Sequence, residues 1–327
     1  MAPARSLPRR RFSILALVLT LLPASLRAQA YPTKPIKVIV PFAPGGGTDV
    51  VARILAEQLT SLLGQTVLVE NKAGANGNLA GGFVAKSDPD GYTLLFTNTS
   101  IMTIAPSIYN NLTFDPARDF QPIVRVAEVP NLLLVNPEVP VTSVKEFVAW
   151  AKAKPGMALA SGGSGSVSHL TGEMFKLAAG IQMLHVPYKG NAPQIADIVS
   201  GQVPAGIADL SGALPQVRSG KLRALAITTK KRSSFLSDVP SLEDSGFMTF
   251  ESSVWVGMVA PAKTPPPVIQ TLADAINSIL RRKEIADRIT ELGFVVLGGT
   301  PAEFSSRISE ETQHWKRVVV TSGATVE

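Results

Sequence analysis

The chain reads as an α/β protein of two similar units, each a mostly parallel sheet flanked by helices. Three observations predict this. From Tyr31 onward, short apolar runs alternate with amphipathic stretches, the pattern of strands joined by helical crossovers. The same grammar restarts at the long extended stretch that begins at Ile123. Each unit also carries a glycine-rich loop between a strand and a helix: PFAPGGGTD from Pro41 to Asp49, and ASGGSGSVSHL from Ala160 to Leu170.

In order, Ile36 to Val40 is the first strand, and Pro41 ends it. The next helix carries Val50, Val51, Ile54, Leu55, Leu59, Leu62 and Leu63, which fall on one face at helical spacing, and Gly64 terminates it. Thr66 to Glu70 is a second strand, a helix follows through about Lys86, and Tyr92 to Thr97 is a third strand. Ile123 to Pro137 is a long extended segment, followed by the helix VKEFVAWAKAK, the strand MALA and the second glycine loop. The helix after that loop presents Leu170, Met174, Phe175, Leu177 and Ala178. Strands LHVPY and PAGIAD then flank a helix near Ala192 to Ser200, and Leu222 to Thr229 closes the unit. Strand SSVWVGMVAP, a proline stretch from Thr264 to Pro267 and a helix from about Val268 to Leu280 return to the first unit. Pro130 would interrupt ladder pairing in a central strand, so the chain is expected to cross between units at Glu128 to Pro130 and again around Thr228. The expected domains are residues 31–128 plus 229–327, and residues 129–228. Ligands in such folds sit outside the carboxyl ends of the strands, where both glycine loops fall.

Residues 1–30 read as a cleaved export signal. Arg5, Arg9, Arg10 and Arg11 precede an apolar stretch from Phe12 to Leu22, and Ala28-Gln29-Ala30 gives the small-x-small cleavage pattern. The stretch falls short of the about 20 residues a membrane span needs, and the arginines leave Sec and twin-arginine export both open. Without the five arginines of this segment, 31 basic residues become 26 against 25 acidic ones, and the net charge falls from +6 to +1. A basic face for nucleic acid is therefore not expected. No cysteine occurs, which excludes thiolate metal sites and cysteine nucleophiles, and an exported chain without disulfides must be stable through its core.

The motifs of common enzymes fail one by one. His169, His185 and His314 lack metal-ligand spacing. A nucleophile elbow would need glycine where Ser166 stands, and a GxGxxG beginning at Gly45 and Gly47 ends on Val50, with no Walker lysine. A carboxylate receptor needs less. Backbone N–H groups at a helix start, with hydroxyls beside them, hold an anion through bonds worth about 1.5–3 kcal/mol each. The first loop offers the N–H groups of Gly45, Gly46, Gly47, Thr48 and Asp49 and the hydroxyl of Thr48; the second offers Ser164, Gly165, Ser166 and Ser168. Asp49 either caps its helix or meets the ligand; Asp209, at a strand end, either accepts from a ligand amine or orients a water; Asn98 and Thr99 hold the matching edge of the first unit. Trp255 either lines the pocket or fills the core.

The ordered set PFAPGGGTD, VENKAGANGN, SGSVSHL, HVPYKG, SGKLRALAIT, DVPSLEDSGF and VWVGMVAPAKTP resembles the Bug family of extracytoplasmic solute receptors, which are associated with tripartite tricarboxylate transporters. The resemblance implies a monomeric periplasmic binding protein of the type II, Venus-flytrap kind, without catalysis, metal or cofactor. It implies a small carboxylate held between two loops, partly through ordered water. One loop runs from Phe42 through Pro44 to Asp49, and the other spans Ser161, Gly163 and the residues through His169, with Asn98, Tyr188 and Asp209 nearby. The implied partners are membrane transporter subunits or, with the same fold, a sensor protein. An exported α/β hydrolase is the enzymatic alternative. The second loop reads SGGSGS, a departure that bears on Gly163 and Ser164.

Overall fold

In a computed structural model of the chain, residues 31–247 and 251–326 are described; the export-signal expectation falls outside them. The first group of strands is β1 (Ile36–Val40), β2 (Val67–Asn71) and β3 (Thr93–Asn98). The long strand β4 (Phe120–Val135) follows, then β5 (Ala158–Ser161), β6 (Leu184–Pro187), β7 (Ala205–Asp209) and β8 (Arg223–Ile227). The chain returns through β9 (Ser253–Pro261) and the short β10 (Val295–Val296). Neighbours run in the order β2, β1, β3, β9, β4, β7, β5, β6, with β8 and β10 also paired to β4.

The βαβ units are parallel, as their helical crossovers require: β1 with β2 and β3, and β5 with β6 and β7. The strands that link the groups differ. β9 pairs antiparallel with β3 and β4, and β4 antiparallel with β7 and β8. Alternation of strands and helices predicts only the parallel part, because no helix separates the crossing strands from their partners in the same way.

β4 changes partners between two adjacent residues. Pro130 is opposite Ser253 of β9, whereas Asn131 is opposite Asp209 of β7. The change falls at the proline, whose missing N–H ends one ladder. Thr228, just past β8, is stitched to the same point: its Oγ1 accepts from Asn131 N at 3.0 Å and donates to Ser252 O at 2.6 Å.

Helices Gly47–Leu63, Asn78–Val84, Val144–Ala153, Val167–Ala179, Asn191–Val199 and Pro266–Leu280 occupy the expected stretches. Gly64 closes the first with φ +66°. Three more helices, Leu210–Arg218, Lys283–Glu291 and Pro301–Ser322, add to the pattern. Leu210–Arg218 contains Gly212 and Pro215, both poor helix formers, and holds because Leu210, Ala213 and Leu214 are buried. Pro301–Ser322 starts at a capping box of Thr300 and Glu303. Trp255 lies in the core, fully buried, with its indole N–H donating to Glu311 at 2.6 Å.

Candidate functional site

The first loop is built from its own helix. Gly46 is the residue before the helix and offers no side-chain cap, so the first N–H groups have no capping side chain. Gly45, at φ +87°, makes the turn. Asp49 is 2 % exposed and does not cap the helix start. Its carboxylate accepts from Gly45 N at 2.9 Å, Arg53 Nε at 2.9 Å and Asn71 Nδ2 at 2.7 Å, tying the loop to its helix and to the end of β2. Burial opposes its ionisation, but these hydrogen bonds and the Arg53 charge outweigh it and hold its pKa below the ordinary carboxylate value. Asp49 is thus the clamp of the loop.

The second loop is wired inward. Ser166 caps the helix Val167–Ala179: its hydroxyl accepts from His169 N at 3.1 Å and donates to Gly163 O at 2.6 Å. Ser168 Oγ accepts from Gly162 N at 3.0 Å, and His169 Nδ1 accepts from Gly165 N at 3.1 Å. Ser161 Oγ lies 2.6 Å from His185 Nε2, yet Ser161 is 2 % exposed and also accepts from Gly163 N at 3.2 Å. A nucleophile must reach its substrate, so this pair does not form a hydrolytic site. Tyr109, following the short helix Ala105–Ile108, donates to Ser164 O at 2.9 Å and lies against Gly165, where a Cβ would come within 3.0 Å of the ring.

Among the described residues, His169, Glu173 and His185 form the group with metal-ligand side chains. The two rings stack at 3.9 Å with 14° between their planes, so their in-plane lone pairs run side by side instead of converging. Lys176 already holds Glu173 at 2.7 Å. Burial, His185 and Lys176 pull His169 down to about 3, and burial and Lys176 pull His185 down to about 4, so both are neutral supports of the loop at pH 7.

Both loops open on one cleft of about 780 Å³. Four helices begin at it, represented in its lining by Gly47, Val167, Asn191 and Ser211. At Gly46, Gly190 and Asp209, the residues before three of these helices, no side chain caps the helix. Each helix start carries roughly half a positive charge, so the cleft favours an anion. Lys189 and Lys221 add full charges. Asp209 opposes them: it accepts from Asn191 Nδ2, and burial, only partly offset by that bond, pushes it up to about 6.

The cleft gathers Phe42, Pro44, Gly45, Gly46, Gly47, Thr48, Asp49, Asn98, Ser166, Ser168 and Asp209 of the expected positions. The others are not among its lining residues. Thr99 Oγ1 accepts from Trp255 N at 3.0 Å, Tyr188 donates to Asp197 at 2.7 Å, and Ser161, Gly163, Ser164, Gly165 and His169 shape or brace the second loop. Sequence reasoning missed Asn76, Ser100, Lys189, Asn191, Ser211 and Lys221. Lys189 and Lys221 stand in HVPYKG and SGKLRALAIT, and only the fold brings them to the lining of the same cleft as the two loops.

A profile of the family described as "Tripartite tricarboxylate transporter family receptor" matches residues 51–323. The chain is 38 % identical over 303 residues to Protein BugT of Bordetella pertussis, covering 92 % of this chain and 93 % of that one. Among solved structures, R. palustris Rpa4515 with adipate superposes with a TM-score of 0.87 at 34 % identity, covering 90 % of this chain and 99 % of that one. MatC from Rhodopseudomonas palustris with bound malate gives 0.83 at 31 % identity, covering 88 % and 100 %. With a profile match over most of its length and a fold shared with periplasmic binding proteins, the chain belongs to the tripartite tricarboxylate transporter receptor family of solute-binding proteins.

Proposed function

We propose that this protein captures a small organic carboxylate in the periplasm, closes on it, and presents it to membrane subunits of a tripartite tricarboxylate-type transporter. The carrying observation is the convergence of four helix starts, three without a side-chain cap, on one cleft with two lysines. Binding of malate and adipate by family members supports the same ligand class. No helix among the described residues is long and apolar enough to cross a membrane. The direct contacts we assign are the N–H groups at Gly46 to Thr48, the Thr48 hydroxyl, and the starts of the helices at Val167, Asn191 and Leu210.

The hinge we assign lies where β4 changes partners, at Pro130–Asn131, and at Thr228–Ser252, which divides residues 31–128 plus 229–327 from 129–228. Ligand contacts made from both sides favour closure only through their differential affinity for the closed form. A thermal-shift screen of organic acids against their uncharged amides tests the reading. Stabilisation by acids alone, reduced in Thr48→Ala, is expected; equal response to acid and amide overturns it.

A further inference from the structure

One contact joins the two strand groups without passing through β4 or β9. Tyr109 follows the short helix Ala105–Ile108, after β3, and its hydroxyl donates at 2.9 Å to Ser164 O, in the loop after β5. Burial raises its pKa, so the hydroxyl stays protonated and able to donate. The Asn76 side chain bonds the same hydroxyl. A Cβ at Gly163 would lie 3.9 Å from Asn76 Oδ1, and one at Gly165 would come within 3.0 Å of the Tyr109 ring, so both side chains stand against the second loop. Asn76 is held there at a cost. It sits at φ +50° and ψ +35°, and Ala75 before it at φ +47°, a left-handed region that alanine rarely enters. Such strain persists only where the surrounding structure overdetermines it, and it clusters at clamps and switches. Asn76 lines the cleft, whereas Tyr109, Ser164 and Gly165 do not. The grip of Tyr109 on Ser164 O therefore needs no ligand.

We propose that Tyr109 and Asn76 form a latch that holds the second loop against the first lobe and keeps part of the unliganded protein closed. This rests on the hinge at Pro130–Asn131 and Thr228–Ser252 and adds to it a contact that opening must break. The partner of the latch is a backbone carbonyl, so its contribution does not depend on what the cleft holds. It sets the balance of open and closed forms, and apparent affinity scales with the closed fraction for every ligand alike. One ordinary hydrogen bond shifts such a balance about fivefold.

The chain holds no cysteine, so spin labels at Ser61→Cys and Ser219→Cys, exposed positions one on each side of the hinge, attach nowhere else. In dialysed protein without added acid, double electron–electron resonance is expected to show two distances, and Tyr109→Phe to lower the closed-to-open ratio about fivefold. Asn76→Gly, which keeps the left-handed backbone and removes the amide, is expected to act in the same direction and to add little to Tyr109→Phe, since both work on one hydroxyl. A single distance in the otherwise unmodified protein, or a ratio unchanged by Tyr109→Phe, overturns the latch. Calorimetry with adipate and succinate reads the second consequence: Tyr109→Phe should weaken both by the same factor. A loss confined to one acid would make Tyr109 a ligand contact and overturn the latch. If neither acid binds, the carboxylate reading fails, and the distance ratio alone decides the latch.

Discussion

Asp49→Ala separates the scaffolding of the first loop from its ligand contacts. In the native protein the Asp49 carboxylate takes hydrogen bonds from Gly45 N, Asn71 Nδ2 and Arg53 Nε, all between 2.7 and 2.9 Å. Bonds to a charged acceptor contribute about 1.5–3 kcal/mol each. Arg53 is half exposed, so water replaces most of its share and the pair counts for about 0–1 kcal/mol. Asn71 keeps a second acceptor, Phe42 O at 3.0 Å, and Gly45 is open to solvent, so part of their loss is also recovered. The expected cost is therefore about 2–3 kcal/mol of stability, well below that of an isolated buried charge.

The functional cost follows from the same bonds. With the clamp gone, Gly45 to Gly47 must be ordered by the ligand, and fixing one residue costs about 1–2 kcal/mol. Affinity for an acid that binds the native protein should fall at least about tenfold by calorimetry, with urea unfolding measured in parallel. Asp49→Asn, which retains one acceptor oxygen, should fall between. A variant that loses the expected stability but binds within twofold of the native protein would refute the claim that Asp49 sets the loop.

Other consequences concern pH and closure. Asp209 sits in the anion cleft with a pKa pushed up to about 6, so its negative charge fades as pH falls through 6. Carboxylate binding should tighten from pH 7.5 to 5.5, by up to about 25-fold if only the protonated form accepts ligand, and Asp209→Asn should flatten the profile; an unchanged slope refutes the coupling. His169 is held at about 3 against an unfolded value near 6.5. Between those values the unfolded chain binds more protons, so stability falls as pH drops below 6.5, by about 2 kcal/mol from this residue between pH 7 and 5. Denaturation midpoints of His169→Gln should show a shallower decline, and a parallel one would sink the assignment. Gly165→Ala forces a side chain to φ +74° and to within 3.0 Å of the Tyr109 ring, so it should weaken ligand binding more than Tyr109→Phe, which removes the hydroxyl's bonds to Ser164 O and Asn76 and leaves the ring in place. The reverse order in calorimetry would show that the ring contact does not matter.

Much of the frame was legible because its signals are local. The strand IKVIV, the proline after it, the run of glycines and the apolar face of the next helix specify a strand, loop and helix without reference to anything distant. Pro130 likewise marked where β4 leaves one ladder, since a missing N–H acts wherever it stands. The side chains of the second loop were legible as residue types but not in their directions. Ser166, Ser168 and His169 look like ligand groups in the sequence, whereas their partners are Gly163, Gly162 and Gly165 of the same loop. A hydroxyl beside a helix start serves a cap or a ligand with the same chemistry, and only geometry selects between them.

The sequence by itself determined the alternating α/β layout, the two glycine loops and the helix starts behind them, because backbone freedom and apolar spacing are properties of short segments. Tertiary structure alone decided which helix starts share a cleft. Asn191, Ser211, Lys189 and Lys221 come from segments with no glycine run to announce them, and they reach the first loop only because β4 and β9 carry the chain between the strand groups. The anion-favouring field of the cleft is a sum over those distant elements, and a sum of that kind exists only once the fold has brought them together.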